Sequence, residues 1–150
     1  MTSAGSATGV GVVVVTHGQL ASELLNAAEM IVGDLPGFSA VSIGWHDDVD
    51  MARDAIERAI EKARARAGGV LLLTDMFGGT PSNLGLTFLE AGRVEVVTGV
   101  NLPMLIKLAK APDDANLTVL ARDLCAHGRA AIRVASDLLR ADREPGKPEA

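Results

Sequence analysis

Residues 10–15 are a nearly unbroken β-branched run, Val10-Gly11-Val12-Val13-Val14-Val15, and residues 70–73 repeat the pattern with Val70 and three leucines. Runs of this kind, without polar alternation, predict strands buried on both faces, as in a parallel sheet. Between them, Leu20, Leu24, Leu25, Ala28 and Ile31 recur at helical spacing, and Gly33 stands where a C-terminal cap belongs. Residues 38–43 read as a second strand. Ala52, Ile56, Ile60 and Ala63 mark a second helix that Asp47 or Asp48 can cap.

Past the third strand, Gly78-Gly79-Thr80-Pro81 predicts a helix start, with Thr80 as N-cap and Pro81 in the first turn, followed by Leu84, Phe88 and Leu89. Residues 94–98 form a fourth strand, and Asn101-Leu102-Pro103-Met104 opens a short helix that ends near Pro112-Asp113-Asp114. Leu117, Leu120, Ala121 and Leu124 give another helix, with Gly128 as its expected stop. Ile132, Val134, Ser136 and Leu138 then alternate with Arg133, Ala135 and Asp137, and this period of two predicts a late edge strand. Residues 1–9 and 140–150 lack apolar periodicity and are expected to be mobile ends around one domain spanning 10–139.

Strands alternating with helices predict an α/β fold with a doubly wound, mainly parallel sheet and helices on both faces. Composition agrees: 150 residues suffice for one core, and 48% hydrophobic with 22% charged is a globular balance. Aromatics are only 3% against 16 glycines, so the core is aliphatic. The net charge of −5, without a basic run, argues against a nucleic-acid partner. One cysteine, Cys125, cannot form an internal disulfide; the opening residues lack a signal-peptide pattern, and no apolar stretch approaches the roughly 20 residues of a membrane span. A cytoplasmic location is expected, with any membrane association indirect.

In a doubly wound sheet, chemistry gathers beyond the strand carboxyl ends where the strand order reverses. Here those ends read Thr16-His17-Gly18, Thr74-Asp75-Met76-Phe77-Gly78-Gly79 and Gly99-Val100-Asn101. In a strand order of 2-1-3-4, His17 and Asp75 face each other across the switch point. A carboxylate on one imidazole nitrogen fixes the tautomer and leaves the other as a lone-pair nucleophile. The helix start after Gly78-Gly79 adds backbone N–H groups that favour an anion. Nucleophile, orienting acid and anion cradle together suit phosphoryl transfer.

Each piece alone has a plainer reading. A histidine at a strand end is usually structural, an Asp there can cap a turn, and most Gly-Gly-Thr-Pro helix starts bind no phosphate. Asn101 and Pro103 are explained as cap and first-turn residues that shape the site. His46 and His127 read as surface residues and Cys125 as helix packing; no metal-ligand spacing is present, so neither metal nor cofactor is expected.

Three motifs in order, Val13-Val14-Val15-Thr16-His17-Gly18, Asp75-Met76-Phe77-Gly78-Gly79-Thr80-Pro81-Ser82-Asn83 and Gly99-Val100-Asn101-Leu102-Pro103-Met104, resemble the IIA component (EIIA) of the mannose-family bacterial sugar phosphotransferase system (PTS). The resemblance covers residues 10–139. It implies a phosphocarrier whose His17 takes a phosphoryl group on Nε2 from the carrier HPr and passes it to a IIB protein, with Asp75 orienting the ring. It implies that Thr16, Gly78, Gly79 and Thr80 hold the phosphate, that Phe77 and Met76 offer partners an apolar landing surface, and that a C-terminal strand over 132–138 is exchanged in a homodimer. Family members often continue into a IIB domain; this chain stops at Ala150, so a separate IIB partner, or a regulatory relay without a permease, is expected.

Other classes fit less well. A receiver phosphorylated on Asp75 needs magnesium held by nearby carboxylates, and the first strand ends in Thr16-His17 without an acidic pair. No Gly-x-x-x-x-Gly-Lys-Ser/Thr or Gly-x-Gly-x-x-Gly motif follows a strand, which argues against a nucleotide enzyme. A phosphocarrier feeding dihydroxyacetone kinase shares the N-terminal histidine arrangement but differs in the middle motif. The remaining alternative is a regulatory binding module in which phosphorylated His17 acts as a charge switch.

Overall fold

The computed structural model describes residues 9–143. Elements alternate as the hydrophobic pattern predicts: β1 (Val10–His17), α1 (Leu20–Val32), β2 (Phe38–Ile43), α2 (Val49–Arg64), β3 (Gly69–Thr74), α3 (Thr80–Leu86), β4 (Val94–Thr98), α4 (Leu102–Ala109), α5 (Leu117–Ala130) and α6 (Ala135–Arg143). The strands form one four-stranded sheet in the order β2-β1-β3-β4, and every pairing is parallel. The chain moves outward to β2 on one side of β1 and to β3 and β4 on the other. The order therefore reverses between β1 and β3, and Val15 pairs with Thr74 there.

The two central strands are buried on both faces because each supplies alternating residues to separate cores. Val12, Val14, Leu71, Leu73 and Val97 meet Leu25 of α1, Leu105 of α4 and Leu124 of α5 in one cluster. Val13, Val15, Val70, Leu72 and Val94 meet Ile56 and Ile60 of α2 and Leu84 of α3 in the other. Each such side chain contributes roughly 1.5–3 kcal/mol on burial. A rigid central pair of strands results, with its carboxyl ends as a fixed platform for side chains.

Most local signals act as predicted. Gly33 ends α1, the Asp48 side chain accepts from Asp50 N–H at the start of α2, and Asn101 caps α4 by accepting from Met104 N–H. Three expectations are corrected. Gly79, not Thr80, occupies the cap position of α3; Thr80 is the first helical residue. Gly128 does not stop α5, which runs on to Ala130; Gly128 is buried, and a β carbon there would lie 2.7 Å from Met104 Sδ. It marks a close approach between α4 and α5, not a terminus.

The third correction concerns the C-terminal segment. The edge strand expected over 132–138 is absent, and α6 begins at Ala135 after a short turn. Ser136, Asp137, Leu138, Leu139 and Arg140 suit a helix, with Asp137 in the first turn offsetting the dipole and paired to Arg140. The period of two was carried by only a few side chains, and in this single chain no sheet edge pairs with them. Residues 140–143, expected as part of a mobile tail, continue α6. The mobile ends expected at 1–8 and 144–150 lie outside the described residues.

Candidate functional site

His17 is the last residue of β1 and Asp75 the first after β3, so the parallel pairing of these strands brings them together across the switch point. The imidazole Nδ1 lies 2.7 Å from Asp75 Oδ2. The same oxygen accepts the His17 backbone N–H at 3.1 Å, and Oδ1 accepts Met76 N–H at 3.1 Å. A carboxylate only accepts, so Nδ1 carries a proton, and in the neutral ring Nε2 holds the free lone pair. The Asp75 side chain is 14% exposed and that of His17 51%. The acid is thus set into the protein, and the ring faces solvent.

Burial alone would push the Asp75 carboxyl upward. The hydrogen bonds from the His17 ring and backbone, with the attraction of imidazolium charge, outweigh it and hold Asp75 below its ordinary value. Asp75 is therefore an anion at neutral pH and stabilises positive charge on the ring.

The Nε2 edge of the ring lies against the start of α3. A β carbon built on Gly79 would stand 3.1 Å from both Nε2 and Cε1 of His17, and Gly79 has φ +84°. Only glycine permits both this backbone conformation and this approach. Ser82, fully buried, ties the loop down: its hydroxyl accepts Gly78 N–H at 2.8 Å and faces Gly79 O at 3.4 Å. The first turn of a helix has N–H groups without intrahelical partners, and the start of α3 brings this turn against the Nε2 edge.

Sequence reasoning brought His17, Asp75, Gly78, Gly79 and Thr80 to one place, and the fold gathers them there. Thr16 sits differently from the phosphate contact expected of it. Its hydroxyl is fully buried, accepts Ala21 N–H at 2.7 Å and donates to His17 O at 3.1 Å, so it fastens α1 beneath the histidine. Phe77 and Met76 are exposed beside the site. Pro103 is in the first turn of α4, and Asn101 is turned toward α5, where its Nδ2 donates to Gly128 O at 3.1 Å.

Two features escaped the sequence reading. Ser82 was visible only as part of a motif, although a serine in the first turn after Gly-Gly is a signal for a side chain that folds back on the loop. Gly99 and Val100 both donate to Thr74 O, at 2.9 and 3.0 Å, so the β4–α4 loop grips the residue before Asp75. Nothing in residue spacing announces that contact. Trp45, in the loop that follows β2, is almost fully exposed, one strand away from His17.

A parallel α/β domain with a half-exposed histidine held by a carboxylate at its switch point can present a nucleophilic imidazole. Comparison with known proteins makes this more specific. The family described as "PTS system fructose IIA component" (EIIA-man) matches residues 11–124. The mannose-specific EIIAB component of Escherichia coli K12 is 36% identical over 112 residues, covering 70% of this chain; the match spans about a third, 32%, of that longer relative. The sorbose-specific EIIA component of Lacticaseibacillus casei is 30% identical over 114 residues, covering 75% of this chain and 81% of the relative. Among solved structures, the mannose/sorbose IIA subunit of Enterococcus faecalis aligns at TM-score 0.73 with 31% identity, over 84% of this chain and 94% of that one. The PTS IIA protein associated with a fucose utilization operon of Streptococcus pneumoniae aligns at TM-score 0.80 over 89% and 98%, and at 24% identity it supports the fold. The chain belongs to the EIIA family of the mannose-type PTS. Among the described residues no helix is long and apolar enough to cross a membrane.

Proposed function

We propose that this chain carries a phosphoryl group on His17 Nε2, received from the phosphohistidine of an HPr-type carrier and delivered to a IIB protein. The observation that carries the reading is the 2.7 Å contact of Nδ1 with Asp75, which makes Nε2 the lone-pair nitrogen of the neutral ring, on a side chain that is half-exposed. In the forward step the Nε2 lone pair forms a bond to phosphorus while the bond from phosphorus to the donor imidazole nitrogen breaks. The donor ring, protonated on its other nitrogen, leaves as neutral imidazole, and the positive charge gained by the His17 ring is balanced by Asp75. The Nδ1 proton stays in the bond to Oδ2 throughout.

Phosphoryl transfer proceeds through a loose transition state whose charge sits on the equatorial oxygens, so positioning and N–H donors carry most of the catalysis. The backbone N–H groups of Gly79 and Thr80 supply these donors in this reading, Gly78 shapes the loop with its own N–H held by Ser82, and Phe77 and Met76 give the incoming proteins an apolar footing. With a net charge of −5, a partner with a basic face is favoured. Homodimerisation is part of the proposal: Ile132, Val134 and Leu139 are exposed beyond α5, an apolar surface suited to a second copy. A regulatory role of the same site is a second reading, favoured by exposed Phe77 next to His17, where a phosphate would replace an apolar contact by negative charge.

The test is intact-mass spectrometry at neutral to alkaline pH after incubation with phosphoenolpyruvate, the first PTS enzyme and HPr. One acid-labile phosphate on the wild type and none on His17→Ala is the expected result. No gain from several matched donors, or full labelling of His17→Ala, overturns the proposal.

A further inference from the structure

We infer that Asn101, distant in sequence from both His17 and Asp75, is a positioning residue that sets the Asp75 carboxylate through the main chain of β3; this deepens the phosphocarrier reading and rests on it. The chain of contacts is continuous. Asn101 Nδ2 donates to Gly128 O of α5 at 3.1 Å, and its Oδ1 accepts Met104 N–H of α4 at 3.2 Å. One side chain therefore pins the β4–α4 loop to two helices. The two residues before it, Gly99 and Val100, donate their N–H groups together to Thr74 O at 2.9 and 3.0 Å.

Thr74 O belongs to the peptide unit whose nitrogen is that of Asp75. A planar peptide held at its oxygen by two donors fixes the positions of Asp75 N and Cα, which limits the directions open to the Asp75 Cα–Cβ bond. Gly99 takes φ +92°, the left-handed turn that lets consecutive N–H groups converge on one oxygen. Thr74 is fully buried, and its hydroxyl donates to Met76 O at 3.3 Å, bracing the peptide on the far side of Asp75. The β3–α3 corner is thus gripped before and after the carboxylate, and Asn101 anchors the grip.

The consequence lies in proton placement. Asp75 Oδ2 serves two donors of His17 at once, and a modest rotation of the carboxylate breaks the 2.7 Å ring contact first, because the ring can turn away while the backbone N–H cannot. Loss of that contact lets the proton move to Nε2, where it removes the nucleophilic lone pair. Asn101 touches no reacting atom; it acts on the His17 tautomer.

Asn101→Asp is the informative variant. An aspartate keeps the cap on Met104 N–H but has no donor for Gly128 O, and its charge repels that carbonyl. Asn101→Ala removes both contacts. The readouts are the imidazole 15N and 1H correlation pattern of His17, with His46 as internal control, and the rate of phosphoryl uptake from phosphorylated HPr. In Asn101→Asp, with the melting temperature close to wild type, the His17 pattern is expected to shift from the Nδ1–H form to a mixture while His46 is unchanged. Uptake is expected to slow by about tenfold to a hundredfold. A wild-type His17 pattern in Asn101→Asp overturns the inference, even if uptake slows, because a purely structural effect would slow transfer without moving the proton. The tautomer measurement needs no donor protein. Failure of the wild type to take phosphate would therefore overturn the carrier reading alone, while the 15N pattern still decides the role of Asn101.

Discussion

Replacing Asp75 by asparagine keeps the shape of the side chain and removes its charge. With the amide oxygen at the position of Oδ2, both bonds from His17 survive, but the NH2 group then meets Met76 N–H, donor against donor. With the amide flipped, Met76 N–H is satisfied and both His17 bonds are lost, and the NH2 group donates to Nδ1. That second arrangement moves the ring proton to Nε2 and silences the nucleophile. In the first, a hydrogen bond to a charged acceptor, worth about 1.5–3 kcal/mol, becomes a neutral one worth about 0.5–1.5 kcal/mol. Because the ring is half-exposed, solvent screening favours the low end of the difference, about 1 kcal/mol. The lost charge stabilisation alone slows transfer by about fivefold, and the flipped population brings the total to between about tenfold and a hundredfold. Time-resolved intact-mass measurement with phosphorylated HPr as donor reads this rate directly. A rate within about twofold of wild type would refute the reasoning, since a factor that small leaves no room for the charge of Asp75 in the transition state.

Other expectations follow from the same geometry. Asp75 is held below its ordinary value in the folded protein, so its contribution to stability is fully present above its unfolded value and is lost as pH falls through its folded one. Urea denaturation followed from neutral pH into the acid range should show this loss, and Asp75→Asn should flatten it; equal acid sensitivity in both proteins would contradict the assignment. Gly79→Ala places a methyl group 3.1 Å from His17 Nε2 at φ +84°, which should cost about 1–3 kcal/mol in thermal or urea unfolding. It should also reduce phosphoryl uptake strongly, and wild-type uptake would show that the Nε2 edge is not where transfer occurs. Ile132→Asp combined with Val134→Asp should shift sedimentation toward monomer while leaving the circular dichroism of the domain unchanged; an unaltered association state would remove this segment from the proposed dimer surface.

The sheet and its order were legible because the signals are physically strong. A strand buried on both faces has to be apolar throughout, and Val12 to Val15 and Val70 to Leu73 leave no other placement. His17 and Asp75 were legible because parallel strands side by side put their ends together. The failures are equally physical. Gly128 is chemically silent in sequence: a helix stop and a close helix contact both call for glycine, and only the position of Met104 distinguishes them. The segment from Ile132 to Leu138 carries a weak period of two, and in the single chain its second half is the start of α6. Thr16, expected among the phosphate-binding residues, has its hydroxyl buried against α1, because alternation along a strand sends successive side chains to opposite faces. The Gly99 and Val100 grip on Thr74 is made by backbone groups, which every residue possesses, so no residue type reveals it.

The central claim is that Nε2 of His17 is the nucleophile because Nδ1 is committed to Asp75. Nitrogen-15 labelling of histidine, with phosphorus NMR of the phosphorylated protein at alkaline pH, identifies which ring nitrogen is bonded to phosphorus. The account predicts a phosphorus–nitrogen coupling to Nε2 of His17, with the Nδ1 proton retained. Phosphate on Nδ1, on another histidine or on Asp75 itself would contradict it.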